Sequence, residues 1–295
     1  MRWRRKSGAS NSLSIVGFRL SAARLLVSFK QLRRLLSTPP ATNTQVPFPK
    51  TRNMVLDILA EGRRKNIIQL HFEVDATAIR AHIARQTAQS GEAVSITCYV
   101  ARLLACTVAA NPRMHAYRHK AHELLMFSDV DLSVMVEREV DETSLPVPYI
   151  VRAANRKSFL EIHGELKHAK SATLYADGPL SALEAQFFSL PRILRKLVWY
   201  VARRDAHLFR ELAGTVGLTS MGMHAKGRAV VVPITPMTLT LSIGAIGSQP
   251  ALADGIITER EFLQLNLSAD HDIIDGAPLM RFAATLKDNL EGGKS

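Results

Sequence analysis

The chain has 295 residues, 47% of them hydrophobic, which excludes a mainly disordered chain, a collagen-like repeat and a multi-span membrane protein. The formal net charge of +12 comes almost entirely from residues 1–56, which contain eleven Lys and Arg and no acidic residue. The rest of the chain carries a net charge of only +1, so the overall charge does not indicate nucleic-acid binding.

Residues 1–46 are predicted to be a basic leader and linker. Their Arg, Ser and Leu content fits a transit peptide, a basic amphipathic helix that touches an anionic membrane, or a disordered leader. Arg19, Arg24 and Lys30 interrupt the apolar residues, so the leader has no run of about 20 apolar residues to cross a bilayer. A cytoplasmic location is expected, or the mitochondrial matrix if the leader is a transit peptide.

Residues 47–295 are predicted to form one globular domain. Hydrophobic periodicity predicts helices over 52–62, 76–89, 95–110, 158–170, 190–208 and 278–290. It predicts strands over 67–74, 129–137, 147–151, 215–220, 238–246 and 262–269. Helices and strands do not alternate strictly, which favours an α+β fold with a mixed sheet covered by helices over a doubly wound parallel sheet.

The two cysteines, Cys98 and Cys106, lie on one predicted helix. Eight residues of helix separate their backbones by about 12 Å, too far for a disulfide, so free thiols and a reducing compartment are expected. His115, His119 and His122 could share a helical face. No acid or cysteine completes a ligand set there, so no metal site is predicted.

One polar segment, from Asp270 to Gly276, follows a predicted strand and precedes a predicted helix. A histidine at a strand end can project into a cleft, and the usual pKa of histidine suits a general base, so His271 is the candidate base. Asp270, Asp272 and Asp275 would raise its pKa and could hold the ring, while Gly276 would allow a sharp turn into the helix. Taken alone, the segment could equally be an Asp-rich surface turn.

The wider sequence around this segment resembles a known family. Residues 267–277 (LSADHDIIDGA) are similar to the C-terminal active-site segment of the 2-oxoacid dehydrogenase acyltransferases, the dihydrolipoamide acyltransferase cores related to chloramphenicol acetyltransferase. Three further segments resemble the family in the same order, namely 148–158, 218–222 and 233–246. The resemblance covers roughly residues 47–291.

The chain also departs from the family pattern. Asp272 stands where the family usually has an arginine after the active-site histidine. No lipoyl domain or subunit-binding module precedes the core in this sequence, so it looks like the stand-alone bacterial members. The related amide-forming condensation domains carry a second histidine at the position of Asp270, which argues against that activity.

The resemblance implies a chloramphenicol acetyltransferase-like fold, trimers, and acyl transfer between thioesters. His271 would deprotonate the thiol of coenzyme A or of a dihydrolipoyl group. Thr219, or Ser220 as second choice, would stabilise the oxyanion from a neighbouring chain. Asp275 would form a buried ion pair with Arg52, so that Asp275→Ala harms folding as well as rate.

The resemblance implies coenzyme A as cosubstrate, a lipoyl group on a separate carrier, and no metal. Two alternatives remain open. One is a catalytically silent trimeric scaffold or carrier-docking protein; the other is an acyl-CoA-dependent transferase that acts on a non-lipoyl small molecule.

Overall fold

The computed structural model describes residues 44–46, 48, 52–120, 122–140, 143–171, 190–222, 225, 227–253 and 255–292. Nearly all of the predicted leader and linker lies outside these described residues. The compact unit from Pro49 to Ser295 contains all the helices and strands described below.

The helices of this unit are α1 (Arg52–Gly62), α2 (Thr77–Ser90), α3 (Ile96–Ala109), α4 (Phe159–Ser171), α5 (Arg192–Ala202), α6 (Ala206–Ala213) and α7 (Gly276–Glu291). The strands are β1 (Ile67–Asp75), β2 (Tyr117–His119), β3 (Glu123–Leu125), β4 (Leu132–Val140), β5 (Thr143–Val151), β6 (Val216–Ser220), β7 (Leu239–Ala253) and β8 (Ile256–Asp270).

Six strands form one mixed sheet in the order β1-β8-β7-β6-β4-β5. The strand β6 is parallel to both of its neighbours, whereas the other three pairs are antiparallel. Strands β2 and β3 form a separate antiparallel pair. This architecture confirms the predicted α+β class with a mixed sheet.

One face of the sheet packs against helices α2, α3, α4 and α7. The central helix α3 is almost wholly buried, and it begins where the Ser95 hydroxyl accepts a hydrogen bond from the Cys98 amide at 3.3 Å. In α7 the buried positions recur at helical spacing: Leu279, Phe282, Leu286 and Leu290. Both cysteines lie on α3 as free thiols.

The opposite face of the sheet is polar, although much of it is buried. Along β8 the apolar residues Leu263, Leu265 and Leu267 face the helices, and the residues between them face the other way. On this polar face, Gln69 accepts hydrogen bonds from Asn266 at 2.8 Å and from Ser268 at 2.7 Å. The alternation of β1 along the sequence therefore correctly predicts which of its residues lie on the polar face, and Gln69 is one of them.

The predicted helix over residues 190–208 is wrong in one respect, because it is two helices. Asp205 lies between α5 and α6, and its carboxylate accepts hydrogen bonds from the amides of His207 and Leu208 at 2.9 and 3.2 Å. An acidic residue that bonds these amides starts a new helix. The hydrophobic periodicity continues across the break, so it did not reveal the boundary.

Strands β7 and β8 are longer than predicted, because they continue as an antiparallel hairpin as far as Ala253 and Ile256. A register shift between Ile243 and Ile246 marks where the hairpin leaves the regular sheet. Most residues beyond that shift are exposed, and the hydrophobic pattern that predicts a strand is weak there. None of the helices among the described residues is long and apolar enough to span a membrane.

Candidate active site

His271 is the first residue after β8 and lies at the edge of an open surface pocket. Its amide donates a hydrogen bond to the Asn66 carbonyl at 2.7 Å, which continues the pairing of β1 with β8 past the end of both strands. Its side chain is 47% exposed. The pocket has a volume of about 580 Å³ and is lined by Lys65, Asn66, Ile67, Ile68, His271 and Asp272.

Asp270 points away from the histidine ring and forms a buried ion pair. Its carboxylate lies 2.6 Å from the Lys65 ammonium and is almost fully buried. The same ammonium lies 5.9 Å from the centre of the Tyr117 ring. Burial, together with the negative charge of Asp270, raises the pKa of Tyr117. Asp270 therefore anchors the end of β8 and does not contact the imidazole.

Asp272, the residue that replaces the family's arginine, has its own partner. The Asn66 side-chain amide donates a hydrogen bond to the Asp272 carboxylate at 2.9 Å. The Asp272 amide in turn lies 3.3 Å from the Asp270 carboxylate. These contacts link the turn after His271 to the start of β1, so the Asp272 side chain is hydrogen-bonded at the surface of this turn.

Asp275 is the one carboxylate of the segment that lies beside the ring. Its Oδ1 atom is 3.8 Å from His271 Nδ1, and its side chain is 73% exposed. The expectation that three carboxylates surround the imidazole is therefore wrong, because the side chains of Asp270 and Asp272 are held by Lys65 and Asn66.

The prediction of a buried ion pair between Arg52 and Asp275 is also wrong within a single chain. Both side chains are exposed, and among the described residues they form no ion pair with each other. Loss of an exposed carboxylate leaves no uncompensated buried charge, so the large folding cost expected for Asp275→Ala has no basis within one chain.

Gly276 does not play the conformational role expected of it. It begins α7 without a positive φ, and a Cβ atom at this position would meet no atom within 4 Å. The turn is instead stabilised by the Ile273 and Ile274 amides, which donate to the Asp270 carbonyl at 3.0 and 2.9 Å.

Thr219 and Ser220 end β6 with side chains on opposite faces of the sheet. The Thr97 hydroxyl on α3 donates to the Ser220 hydroxyl at 3.1 Å, so Ser220 faces the helices. Thr219 is on the polar face, and within the described part of the chain its hydroxyl has no hydrogen-bond partner. Thr219 is therefore the better candidate donor of the two.

The chain does not bring Thr219 and His271 together. Thr219 is in register with Ser242 on β7, which is in register with Asn266 on β8. His271 follows Asn266 by five residues, so the two side chains are offset by roughly 16 Å along the strands, and two strand spacings separate them laterally. One chain alone therefore cannot use both groups on one substrate atom.

Sequence reasoning missed Lys65 and Asn66, which hold both carboxylates flanking His271. They immediately precede the predicted strand at residue 67, and their partners are about two hundred residues away in sequence. A prediction that β1 pairs with β8 would have suggested Lys65 and Asn66, because Ile67 is opposite Asp270 in that pairing.

Among the described residues, no group of three or more His, Cys, Asp or Glu side chains could hold a metal ion. His115 is fully buried, and its Nδ1 atom lies 3.2 Å from the Thr215 hydroxyl. Burial, with a smaller effect of the Arg210 charge, lowers the pKa of His115 to about 4.

Comparison with known proteins shows what this chain is similar to. The lipoamide acyltransferase component of the branched-chain alpha-keto acid dehydrogenase complex of Pseudomonas putida is 24% identical over 259 residues, which are 84% of this chain and 52% of that protein. The match thus spans about half the length of that relative.

Two solved structures share the fold. A probable dihydrolipoamide acetyltransferase from Listeria monocytogenes superposes with a TM-score of 0.63 at 17% identity, over 86% of this chain and 96% of that chain. The dihydrolipoamide acetyltransferase of Azotobacter vinelandii gives the same TM-score at 19% identity, with the same coverage.

A family profile described as 2-oxoacid dehydrogenases acyltransferase (catalytic domain) matches residues 40–186 and 201–294, which include β8, His271 and the turn into α7. Since this match covers most of the chain and agrees with the shared fold, the chain belongs to the 2-oxoacid dehydrogenases acyltransferase (catalytic domain) family.

Proposed function

We propose that the protein transfers an acyl group between two thiols, one of them that of coenzyme A, with His271 as general base. The single observation that carries this proposal is the position of His271, half exposed at the edge of an open pocket and held there by the backbone of Asn66. An imidazole buried in the core could not have reached a substrate thiol.

The contact between His271 and Asp275 indicates which ring nitrogen of His271 takes the proton. Nδ1 is on the side of Asp275, at a distance longer than a hydrogen bond, so Nε2 is the nitrogen further from that carboxylate. Nε2 takes the proton from the thiol, and the thiolate attacks the carbonyl carbon of the acyl thioester. The tetrahedral adduct then expels the second thiolate, which takes the proton back from His271.

The Azotobacter enzyme supports the choice of residues. A serine, a histidine and an asparagine have been investigated for their roles in its catalytic mechanism. The serine precedes the histidine by the same number of positions as Thr219 precedes His271, and the asparagine follows at the spacing of Asp275. In this chain Thr219 supplies the oxyanion donor, and Asp275 orients the ring of His271.

The separation of Thr219 from His271 within one chain implies an oligomer. In our proposal the active site forms between two subunits of a homotrimer, with His271 from one and Thr219 from the next. The free hydroxyl of Thr219 on the polar sheet face is then available to a substrate carbonyl. A donor of this kind contributes about 10²–10³ in rate.

The names of the relatives support the proposal that both substrates are thiols. The Pseudomonas relative is a lipoamide acyltransferase, so a dihydrolipoyl group on a separate carrier is the proposed acceptor or donor opposite coenzyme A. A non-lipoyl small acceptor is the second candidate. A silent scaffold is disfavoured because His271 stays exposed at a pocket, where a purely structural residue would be packed or satisfied.

The test is acyl exchange between acetyl-CoA and dihydrolipoamide, followed by mass spectrometry. We expect exchange by the unaltered protein and a loss of about 10²-fold or more for His271→Ala, since general-base catalysis contributes at least this much. His122→Ala, which removes another exposed histidine, is the matched control and should retain activity.

Two results would contradict the proposal. Equal exchange by the unaltered protein and His271→Ala would remove His271 from the mechanism. Absence of exchange with every acyl-CoA donor and thiol acceptor in a screen, by a correctly folded protein, would favour the scaffold.

A further inference from the structure

One arginine of helix α5 and another that directly follows it are turned towards the protein. Arg195 is only 4% exposed, and its Nε atom donates to the Asp57 carboxylate on α1 at 2.7 Å. Arg203 donates to the Glu61 carboxylate on the same helix at 2.7 Å. A surface helix normally buries its large apolar residues and exposes its charges, so α5 departs from this pattern where these two ion pairs lie.

Five large apolar residues of α5 face outwards, although Trp199 and Ala202 pack against the protein. At about 100° per residue, Ile193 projects on the side opposite Arg195, and Leu197 and Tyr200 follow it at helical spacing. Ile193 is 80% exposed, and the large apolar residues of this outward stripe are all exposed: Ile193, Leu194, Leu197, Tyr200 and Val201. So many exposed apolar side chains on one helix mark an interaction surface.

Positive charges border this outward stripe. Arg192, Lys196 and Arg204 are exposed, and no acidic residue occurs from residue 191 to residue 204. The Arg204 guanidinium lies 3.7 Å above the centre of the Tyr200 ring. Long basic side chains and a tyrosine beside an apolar stripe suit a boundary between hydrocarbon and anionic headgroups.

The positive charges favour anionic lipid over a second copy of the chain as the binding partner of the outward stripe. Cations lie at both ends of α5, so pairing of this face with a second copy would bring like charges together in either helix direction. Anionic lipid headgroups would instead neutralise them, at about 1 kcal/mol for each basic residue near the surface.

We propose that α5 is a membrane-docking helix that lies in the plane of an anionic bilayer, with the outward stripe in the acyl boundary. The helix has eleven residues, too short to span the bilayer, which is consistent with docking along the surface. This proposal concerns the globular unit and is independent of the acyl-transfer reaction.

The test is co-sedimentation of the full chain with vesicles of phosphatidylcholine alone or of phosphatidylcholine with phosphatidylserine. We expect binding to the phosphatidylserine vesicles that weakens with salt. Ile193→Ser with Leu197→Ser should lower the partition coefficient by about tenfold or more, because two apolar side chains no longer enter the bilayer. Lys196→Gln should lower it by about fivefold.

The control is Leu252→Ser with Ile257→Ser, which removes two similarly exposed apolar residues from the β7–β8 hairpin and should leave binding unchanged. Circular dichroism verifies the fold of each variant. The proposal is overturned if the unaltered chain does not bind vesicles. It is also overturned if the stripe variant binds as well as the unaltered chain, which is expected if the leader alone binds. A smaller oligomer for the stripe variant would overturn it too, because the stripe would then be an interface between copies.

Discussion

The ion pair between Lys65 and Asp270 lies directly next to the residue that carries the proposed base. Asp270 is buried to 2% exposure and is held by Lys65 from the segment before β1, while its backbone amide bonds the Thr238 carbonyl at 2.9 Å. Three parts of the chain therefore meet at Asp270, through its side chain and its backbone. These contacts of Asp270 fix the end of β8 and the position of the His271 backbone.

We predict that Lys65→Met destabilises the protein by about 3 kcal/mol, because it leaves a buried carboxylate without its cation. Urea denaturation measures this loss in the free energy of unfolding. Asp270→Asn in the Lys65→Met background should recover part of it, since the neutral amide needs no counter-charge. Lys287→Met removes an exposed pair with Glu291 and is the control; an equal loss in this control would contradict the prediction.

The buried His115 should make stability depend on pH. Burial lowers its pKa to about 4 in the folded protein, whereas the unfolded chain binds the proton near the ordinary value of 6.5. Between these two values the unfolded state holds more protons, so stability falls as the pH drops through this window. The loss from this group amounts to about 3 kcal/mol.

The measurement is the free energy of unfolding of the unaltered protein and of His115→Gln between neutral pH and pH 4. The difference between the two curves isolates this histidine from other groups that titrate in the same range. We expect a flatter curve for the variant; parallel curves would show that His115 does not carry the effect.

At the scale of elements, the break between α5 and α6 depends on Asp205. Its carboxylate accepts two backbone hydrogen bonds at the start of α6, which packs Phe209 against Tyr117. The break lets α5, which turns Arg195 inwards, and α6, which turns Phe209 inwards, be oriented independently against the protein.

We predict that Asp205→Ala lowers the free energy of unfolding by about 1 kcal/mol, the usual effect of losing an N-terminal cap. Asp205→Asn should largely retain stability because its side-chain oxygen accepts the same bonds. Chemical denaturation distinguishes the two variants. A stability for Asp205→Ala equal to that of the unaltered protein would mean that packing alone defines the boundary.

At the scale of the whole molecule, the offset between Thr219 and His271 makes the proposed activity a property of the assembly. Thr219→Ala and His271→Ala should each be nearly inactive. When the two variants are unfolded and refolded together, a site between subunits combines His271 from one variant with Thr219 from the other. With random mixing of equal amounts, about a quarter of all sites in the sample should then be complete.

Acyl exchange by the co-refolded mixture, compared with each variant refolded alone, tests this arrangement. Analytical ultracentrifugation should give the mass of a trimer for all three samples. Activity that stays at the level of the single variants, although mixed trimers form, would place both residues' functions within one subunit.

The sequence by itself determined the α+β class, the alternating faces of β1, and the position of His271 between a strand and a helix. These features depend on local periodicity and on a motif of neighbouring residues, and both are visible along the chain. The same motif suggested partners that are wrong, because Asp270 and Asp272 bond Lys65 and Asn66, and Asp275 is exposed.

Only the tertiary structure decided those partners, the separation of Thr219 from His271, and the exposure of the outward stripe of α5. Each depends on which distant segments pair, as Ile67 does with Asp270 and Arg195 with Asp57. Hydrophobic periodicity shows that a helix has an apolar side, but the charges of a neighbouring element decide whether that side is buried. For α5, the ion pairs with α1 turn Arg195 and Arg203 inwards, while the outward stripe remains in contact with solvent.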